Sequence, residues 1–488
     1  VGGLTLWHWL IAILVLVFIS ASLGDALNKR RNREKLYPAS DPTRIVLASL
    51  VINGFLFRRL ILTRKGNPFQ ALAPEPGLDM PLILAACRDI ETRARWLAWA
   101  VVAATLVTAI VAEPAGLVLL VIGLLTLRGI ARFHDATQFR RNRYDAEAQR
   151  QRYLPKGVAT TEEAVPVSCS GVADPFLGLG INLGSWNLSF DTTRGARGRD
   201  VPPERLEALE VELAMTRAVG RLQLAGATLG ERLFVSGVDA RGVAGLQGSS
   251  YARPASSVSV EVAAAYRNVS SARGRLYRTI TIVDWGGEVV LTYAFRCVPR
   301  GAALAVEVVK LALPPIANSY RGIDEMRYLG VWGAIKWFSV SLTLIPLDVI
   351  GAFASAAAQL PGGALRLTGS DERRERREVI ASPAYNYGAT WSLRQHISAN
   401  TYPNWFQKID AAQHFRIIEE QIFAALVDLL ESHGIDSTAI SAQANVLQTT
   451  NISVTAARDV TLQGVAIGAG AQAGAGPALG RPALRKAA

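Results

Sequence analysis

Cysteine is scarce in this 488-residue chain, with Cys87, Cys169 and Cys297 widely spaced. Three such residues build neither a disulfide framework nor a cysteine metal site, and free thiols suit a reducing compartment. Histidine is nearly as rare: His8, His134, His396, His414 and His433. None stands at metal-ligand spacing from another histidine, cysteine or carboxylate on one helical face, so no metal is expected. HExxH, GxSxG, Walker A and protein-kinase signatures are all missing. No cofactor is expected, and no residue is singled out as catalytic; His396 and His414 lie in one aromatic region and are candidates to meet in space. An enzyme with scattered site residues stays open, because catalytic groups need only spatial proximity.

What the chain has in quantity is apolar length and positive charge. Half of it is hydrophobic, the mean hydropathy is +0.22 and the formal net charge is +12. Runs at 4–23, 96–112 and 115–130 approach the roughly 20 residues that cross a bilayer as a helix. The last two are parted by Glu113-Pro114. Lys29, Arg30, Arg31, Arg33 and Lys35 follow the first run, and Arg132, Arg140, Arg141 and Arg143 follow the third. Basic residues near span ends stay on the cytoplasmic side. The expectation is a multi-pass protein of a bacterial cell membrane, its N-terminus outside and its soluble regions cytoplasmic. The first run lacks a preceding basic region and reads as a retained anchor rather than a cleaved signal. The chain starts at Val1, which fits an alternative start codon or a fragment.

Two weaker apolar segments are expected at the interface. Residues 45–57 are short for a span and end in Arg58-Arg59; a further span is the competing reading. Residues 329–360 have basic flanks on both sides, which favours a broken interfacial helix over a crossing. Trp96, Trp99, Trp332, Trp337, Arg58 and Arg59 are the expected membrane-interface residues. The partners that follow are the lipid bilayer and its anionic headgroups, and no nucleic acid.

The fold class expected is α+β: N-terminal transmembrane helices, a cytoplasmic antiparallel-sheet domain, and a helical C-terminal region ending in short strands. The divisions are an anchor at 1–23, a basic segment at 24–94, a transmembrane hairpin at 95–131 and the α+β domain at 132–326. The helix at 329–360, a C-terminal region at 371–470 and a disordered Ala/Gly-rich tail at 471–488 follow. Within the α+β domain, residues 203–222 have a helical pattern and 257–266 alternate as a strand. Asp284-Trp285-Gly286-Gly287 reads as a hairpin turn between strands at 277–283 and 288–298, and 303–313 closes a second hairpin. Gly178, Gly180 and Gly184 form too incomplete a pattern for a phosphate loop and read as turn glycines. Asp284 and Trp285 are explained by the turn itself. Residues 371–380 read as a solvated mixed-charge helix.

The C-terminal region carries the strongest periodicity. Phe415, Ile418, Ile422, Leu426 and Leu429 recur at three- and four-residue steps, a helix stripe suited to a core or to assembly. Alternating residues at 451–467 are too few to stand alone and need a neighbour. The aromatic cluster Tyr385, Tyr387, Trp391, Tyr402, Trp405 and Phe406 reads as core, with a recognition surface as the alternative.

Tyr385-Asn386-Tyr387-Gly388-Ala389, Ser392-Leu393-Arg394, Trp405-Phe406-Gln407-Lys408-Ile409-Asp410 and Gly434-Ile435-Asp436 resemble a pattern of uncharacterised actinobacterial multi-pass membrane proteins. Val465-Ala466-Ile467-Gly468-Ala469-Gly470 is also similar. The resemblance covers about the last hundred residues; it implies a bacterial source and no particular activity. The function expected is a membrane-anchored interaction or scaffold protein, forming homo-oligomers or binding a protein partner through its C-terminal region. A membrane-active effector or channel-like oligomer, and an enzyme without a recognisable motif, are the alternatives.

Overall fold

A computed structural model of the chain describes residues 39–111, 130–154, 164–195, 204–325 and 367–444, apart from a few positions within them. At its centre is a seven-stranded sheet. The strands are β1 (Ala164–Ser170), β2 (Ile181–Asp191), β3 (Ala227–Ser236), β4 (Ser257–Ser259), β5 (Gly274–Asp284), β6 (Val289–Arg300) and β7 (Ala303–Leu313). Their order across the sheet is β2-β7-β6-β5-β3-β1-β4. Every pairing is antiparallel except β1 with β3, so the sheet is mixed and not the antiparallel sheet the sequence suggests.

The expected hairpins form: β5–β6 turns through Trp285–Gly287, and β6–β7 through Gly301. The ten residues from Val289 to Val298 of β6 are all buried, as befits a central strand covered on both faces. The expected strand at 257–266 does not extend. After Ser259 the chain turns into a short helix, Val260–Ala264, because the Ser259 hydroxyl accepts from the Val262 N–H and caps it.

Two helices cover one face of the sheet. The helix Ala208–Arg221 has a strong apolar stripe, with Val211, Met215 and Val219 buried. The helix Trp405–Ser432 begins ten residues before the stripe read from sequence. Phe415, Ile418, Ile422 and Leu426 are buried in one core cluster with Ile280, Tyr293, Phe295 and Val306 of the sheet, and Leu429 is packed at its margin. Trp186 of β2 stacks on Phe423, with ring centroids 5.1 Å apart. The stripe expected to serve assembly is therefore core within one chain. The strands expected at 451–467 and the tail at 471–488 lie outside the described residues.

A helical layer sits beside the sheet. It contains α1 (Pro42–Ile52), α2 (Gly54–Gly66), α3 (Met80–Val111), α4 (Ala146–Tyr153) and a short α7 (Gly322–Glu325). The helices already described are then α5 (Ala208–Arg221), α6 (Val260–Ala264) and α10 (Trp405–Ser432), with α8 (Leu367–Ala381) and α9 (Leu393–Ile397) between. In α8, Arg374 pairs with Glu378 on the exposed side (3.4 Å), the solvated arrangement its charges suggest.

This layer overturns the membrane reading. Among the described residues no helix is long and apolar enough to cross a membrane. The run at 96–112 falls almost wholly within α3, whose earlier half carries Arg88, Asp89, Glu91, Arg93 and Arg95 and packs Leu82, Ile83, Ala86 and Cys87 into the protein core. Most of the segment 45–57 is not interfacial: every residue from Pro42 to Val51 is buried by protein, and Leu56 is its one large exposed apolar side chain. The runs at 4–23, 115–130 and 329–360 lie outside the described residues. The expected multi-pass architecture, its transmembrane helices and the cell-membrane location with the N-terminus outside lose their basis accordingly.

Candidate functional site

The β5–β6 turn is where the distant parts of the chain meet. Asp284 accepts from the Trp285 N–H (2.6 Å), which holds Trp285 at φ +52, a left-handed conformation uncommon for a bulky residue. Gly287 follows at φ +96 against Pro42; a Cβ there would lie 2.8 Å from the proline ring, so glycine is required. Glu288 then points into the helical layer with 1% exposure.

Glu288 closes a ring of polar contacts. Its carboxylate accepts from the Ser40 N–H (2.7 Å) and pairs with Arg321 (2.6 Å). Arg321 also approaches Asp324 of α7 (3.8 Å), and Asp324 pairs with Arg44 of α1 (2.5 Å). Arg44 returns to the Ser40 hydroxyl (2.8 Å) and donates to the Phe139 carbonyl (2.9 Å). Charges so deeply buried are tolerable only when paired and hydrogen-bonded in this way.

A second tie comes from α9. The Arg394 side chain is fully buried and donates to the carbonyls of Glu288 and Pro314 and to the Ser398 hydroxyl. Burial pulls its pKa down to about 10, against the opposing fields of Glu288 and Glu75, which still leaves it charged at neutral pH. Glu75 accepts from the backbone N–H groups of Leu393 (2.8 Å) and Arg394 (2.6 Å) and from the Ser392 hydroxyl (2.9 Å), and pairs with Lys65 of α2. Carboxylate and helix start complement each other electrostatically.

The third tie is α10. His414 Nε2 lies 3.2 Å from the Asp284 carboxylate, and the Trp285 indole N–H donates to Asp410 (3.1 Å). Phe406, Asp410 and His414 are spaced by four residues and lie along one side of the helix. Asn404 caps α10 by accepting from the Phe406 N–H (2.9 Å). At this capped end Trp405 and Phe406 are 64% and 63% exposed, packed edge to face at 5.4 Å.

The expected site residues are distributed differently. Arg58 is buried, donating to the Leu50 carbonyl (2.8 Å) and facing Glu91 at 3.8 Å, so it serves the protein interior and not an interface. Arg59 lies over the Phe55 ring at 5.5 Å. Trp96 and Trp99 are exposed on α3; Trp332 and Trp337 lie outside the described residues. His396 and His414 do not meet: His396 packs on Trp391 and Tyr320, where burial lowers its pKa. Among Gly178, Gly180 and Gly184, Gly180 is explained by packing. At φ +116, a Cβ on it would fall 2.2 Å from the Ala312 carbonyl oxygen of β7. All three cysteines are buried and their thiols pushed up to about 12 by burial, which makes them unreactive. Among the described residues no group of three or more His, Cys, Asp or Glu side chains is arranged to hold a metal ion.

By their sequence, Asp284 and Trp285 read as turn formers and the aromatics from Tyr385 to Phe406 as core. The turn is legible from Asp and the paired glycines, but its role depends on Ser40, 248 positions from Glu288. The aromatic segment divides: Tyr387 is fully buried and Trp405–Phe406 are not, a split no local pattern encodes.

Comparison with known proteins yields one family. No curated protein and no solved structure matches the chain. The model of the AbeC-like domain matches residues 185–470, more than half of the sequence, and takes in most of the sheet, α5 and α10. The chain therefore belongs to the AbeC-like domain family.

Proposed function

We propose that this chain is an interaction module that recruits a protein partner through Trp405 and Phe406. The observation that carries this reading is the exposure of two adjacent large aromatics at a fixed helix end. Exposed single aromatics are ordinary, but a rigid Trp–Phe pair is the kind of anchor that dominates protein interfaces. The Asn404 cap, the Asp410–Trp285 bond and the Asp284–His414 contact hold that end in place, so little ordering entropy is lost on binding. The same surroundings give the ionisable groups structural work, since they link helices to the turn.

The test is site-specific photocrosslinking of the full chain in its native cells. A benzophenone amino acid at position 405 should give a discrete protein adduct that the same group at exposed Arg416 does not. Phe406→Ala should abolish that adduct while changing stability by less than about 0.5 kcal/mol, as for an exposed side chain whose ring contact is with the equally exposed Trp405. Equal adduct patterns from 405 and 416, or an adduct indifferent to Phe406→Ala, would contradict the reading.

A further inference from the structure

The sheet ends on one side at the strand β2. Its inner side pairs with β7 from Ile181 to Asp191, and among the described residues nothing pairs with its outer side. Natural edge strands are blunted by lysine, proline, an inward charge, shortness, a bulge or a covering helix or loop. Residues 181–190 contain no charged residue and no proline, and the strand is 11 residues long. Its one irregularity is the register shift between Asn182 and Gly184, which leaves 184–190 as a regular stretch.

We propose that two copies of this chain pair antiparallel through the outer edges of β2, around a two-fold axis at Asn187. This goes beyond the recruitment reading and rests on a different element. A two-fold axis normal to the sheet keeps each face of the strand on the same side, so only residues of like parity stand opposite each other. With Asn187 opposite its own copy, Ser185 faces Ser189, Trp186 faces Leu188 and Gly184 faces Phe190. On the helix-covered face Gly184 stands opposite Phe190 and Trp186 opposite Leu188; Trp186, Leu188 and Phe190 are already buried in their own chain, so this face brings no exposed or charged side chain into the seam. On the other face, exposed Ser185, Asn187 and Ser189 meet only one another, as small hydrogen-bonding groups. The sole charge, Asp191, falls opposite Leu183 at the irregular end rather than opposite another Asp191, so no like charges oppose the pairing. The arrangement joins the two seven-stranded sheets into one continuous sheet.

The test is sedimentation of the full chain across a concentration series, with two double variants at exposed positions. The wild type should be a dimer. Ser185→Lys with Ser189→Lys places like charges opposite one another twice per dimer and should weaken dimerisation by about tenfold. Ser185→Lys with Ser189→Glu places opposite charges in the same two positions and should restore it. Circular dichroism of each variant should match the wild type, since both serines are solvent-facing. A wild type that stays monomeric, or two variants that dimerise alike, would overturn the proposal, and neither result bears on Trp405 and Phe406.

Discussion

Glu307 shows what the buried charges of this protein do one at a time. It sits on the face of the sheet away from α10, accepting from Arg296 (2.6 Å) and the Tyr277 hydroxyl (3.2 Å), with Arg275 at 3.8 Å and Arg300 at 3.9 Å. Burial pushes its pKa up, but the Arg296 hydrogen bond and charge, the Arg275 charge and the Tyr277 hydroxyl together outweigh burial, and the net value is below the ordinary one. A carboxyl whose folded pKa is depressed contributes stability above its unfolded pKa and loses it as pH falls through the folded value. Glu307→Gln should therefore cost about 1.5–3 kcal/mol at neutral pH, the worth of a charged hydrogen bond. Denaturant unfolding of both forms should show that gap closing as the pH is lowered into the carboxylate range; a gap independent of pH would show that the charge is not what Glu307 contributes. None of this is legible in the sequence. Glu307 alternates with apolar residues along β7 as any solvent-facing residue would, and its four partners come from β5 and β6.

At the level of elements, legibility follows how local the determining interactions are. The β5–β6 turn is written in four consecutive residues, and α5 and α10 are written in stripes of one helix. The strand β2 has a clear alternation, Trp186, Leu188 and Phe190 buried between exposed Ser and Asn, yet its neighbouring glycines draw the eye to a loop. In α1 the signal is absent in principle: a helix buried on every side has no polar stripe, and its sequence is compatible with protein core or lipid alike. The α10 stripe illustrates the same limit, since periodicity announces burial and not what does the burying. Ile422 is fully buried against the sheet of its own chain. Ile422→Ala should thus cost about 2–5 kcal/mol in the unfolding of the chain. It should do so at every protein concentration; a loss that vanishes on dilution would mean that the stripe faces a second copy.

For the whole molecule, the deciding feature is that segments hundreds of residues apart converge on one turn. Ser40 and Arg44 come from the start of the described chain, Arg321 and Asp324 follow β7, and Arg394 and His414 come from the C-terminal region. Removing the Glu288 charge leaves Arg321 uncompensated and takes away the favourable field on Arg394, and so should loosen the turn through which Asp284 and Trp285 hold α10. Hydrogen exchange of the full chain, comparing the wild type with Glu288→Gln, measures this directly. The account predicts faster exchange in three separate segments at once: the first turns of α1, residues 392–398 of the α9 region, and the first turns of α10. Faster exchange confined to residues 284–290, with those three segments unchanged, would contradict it.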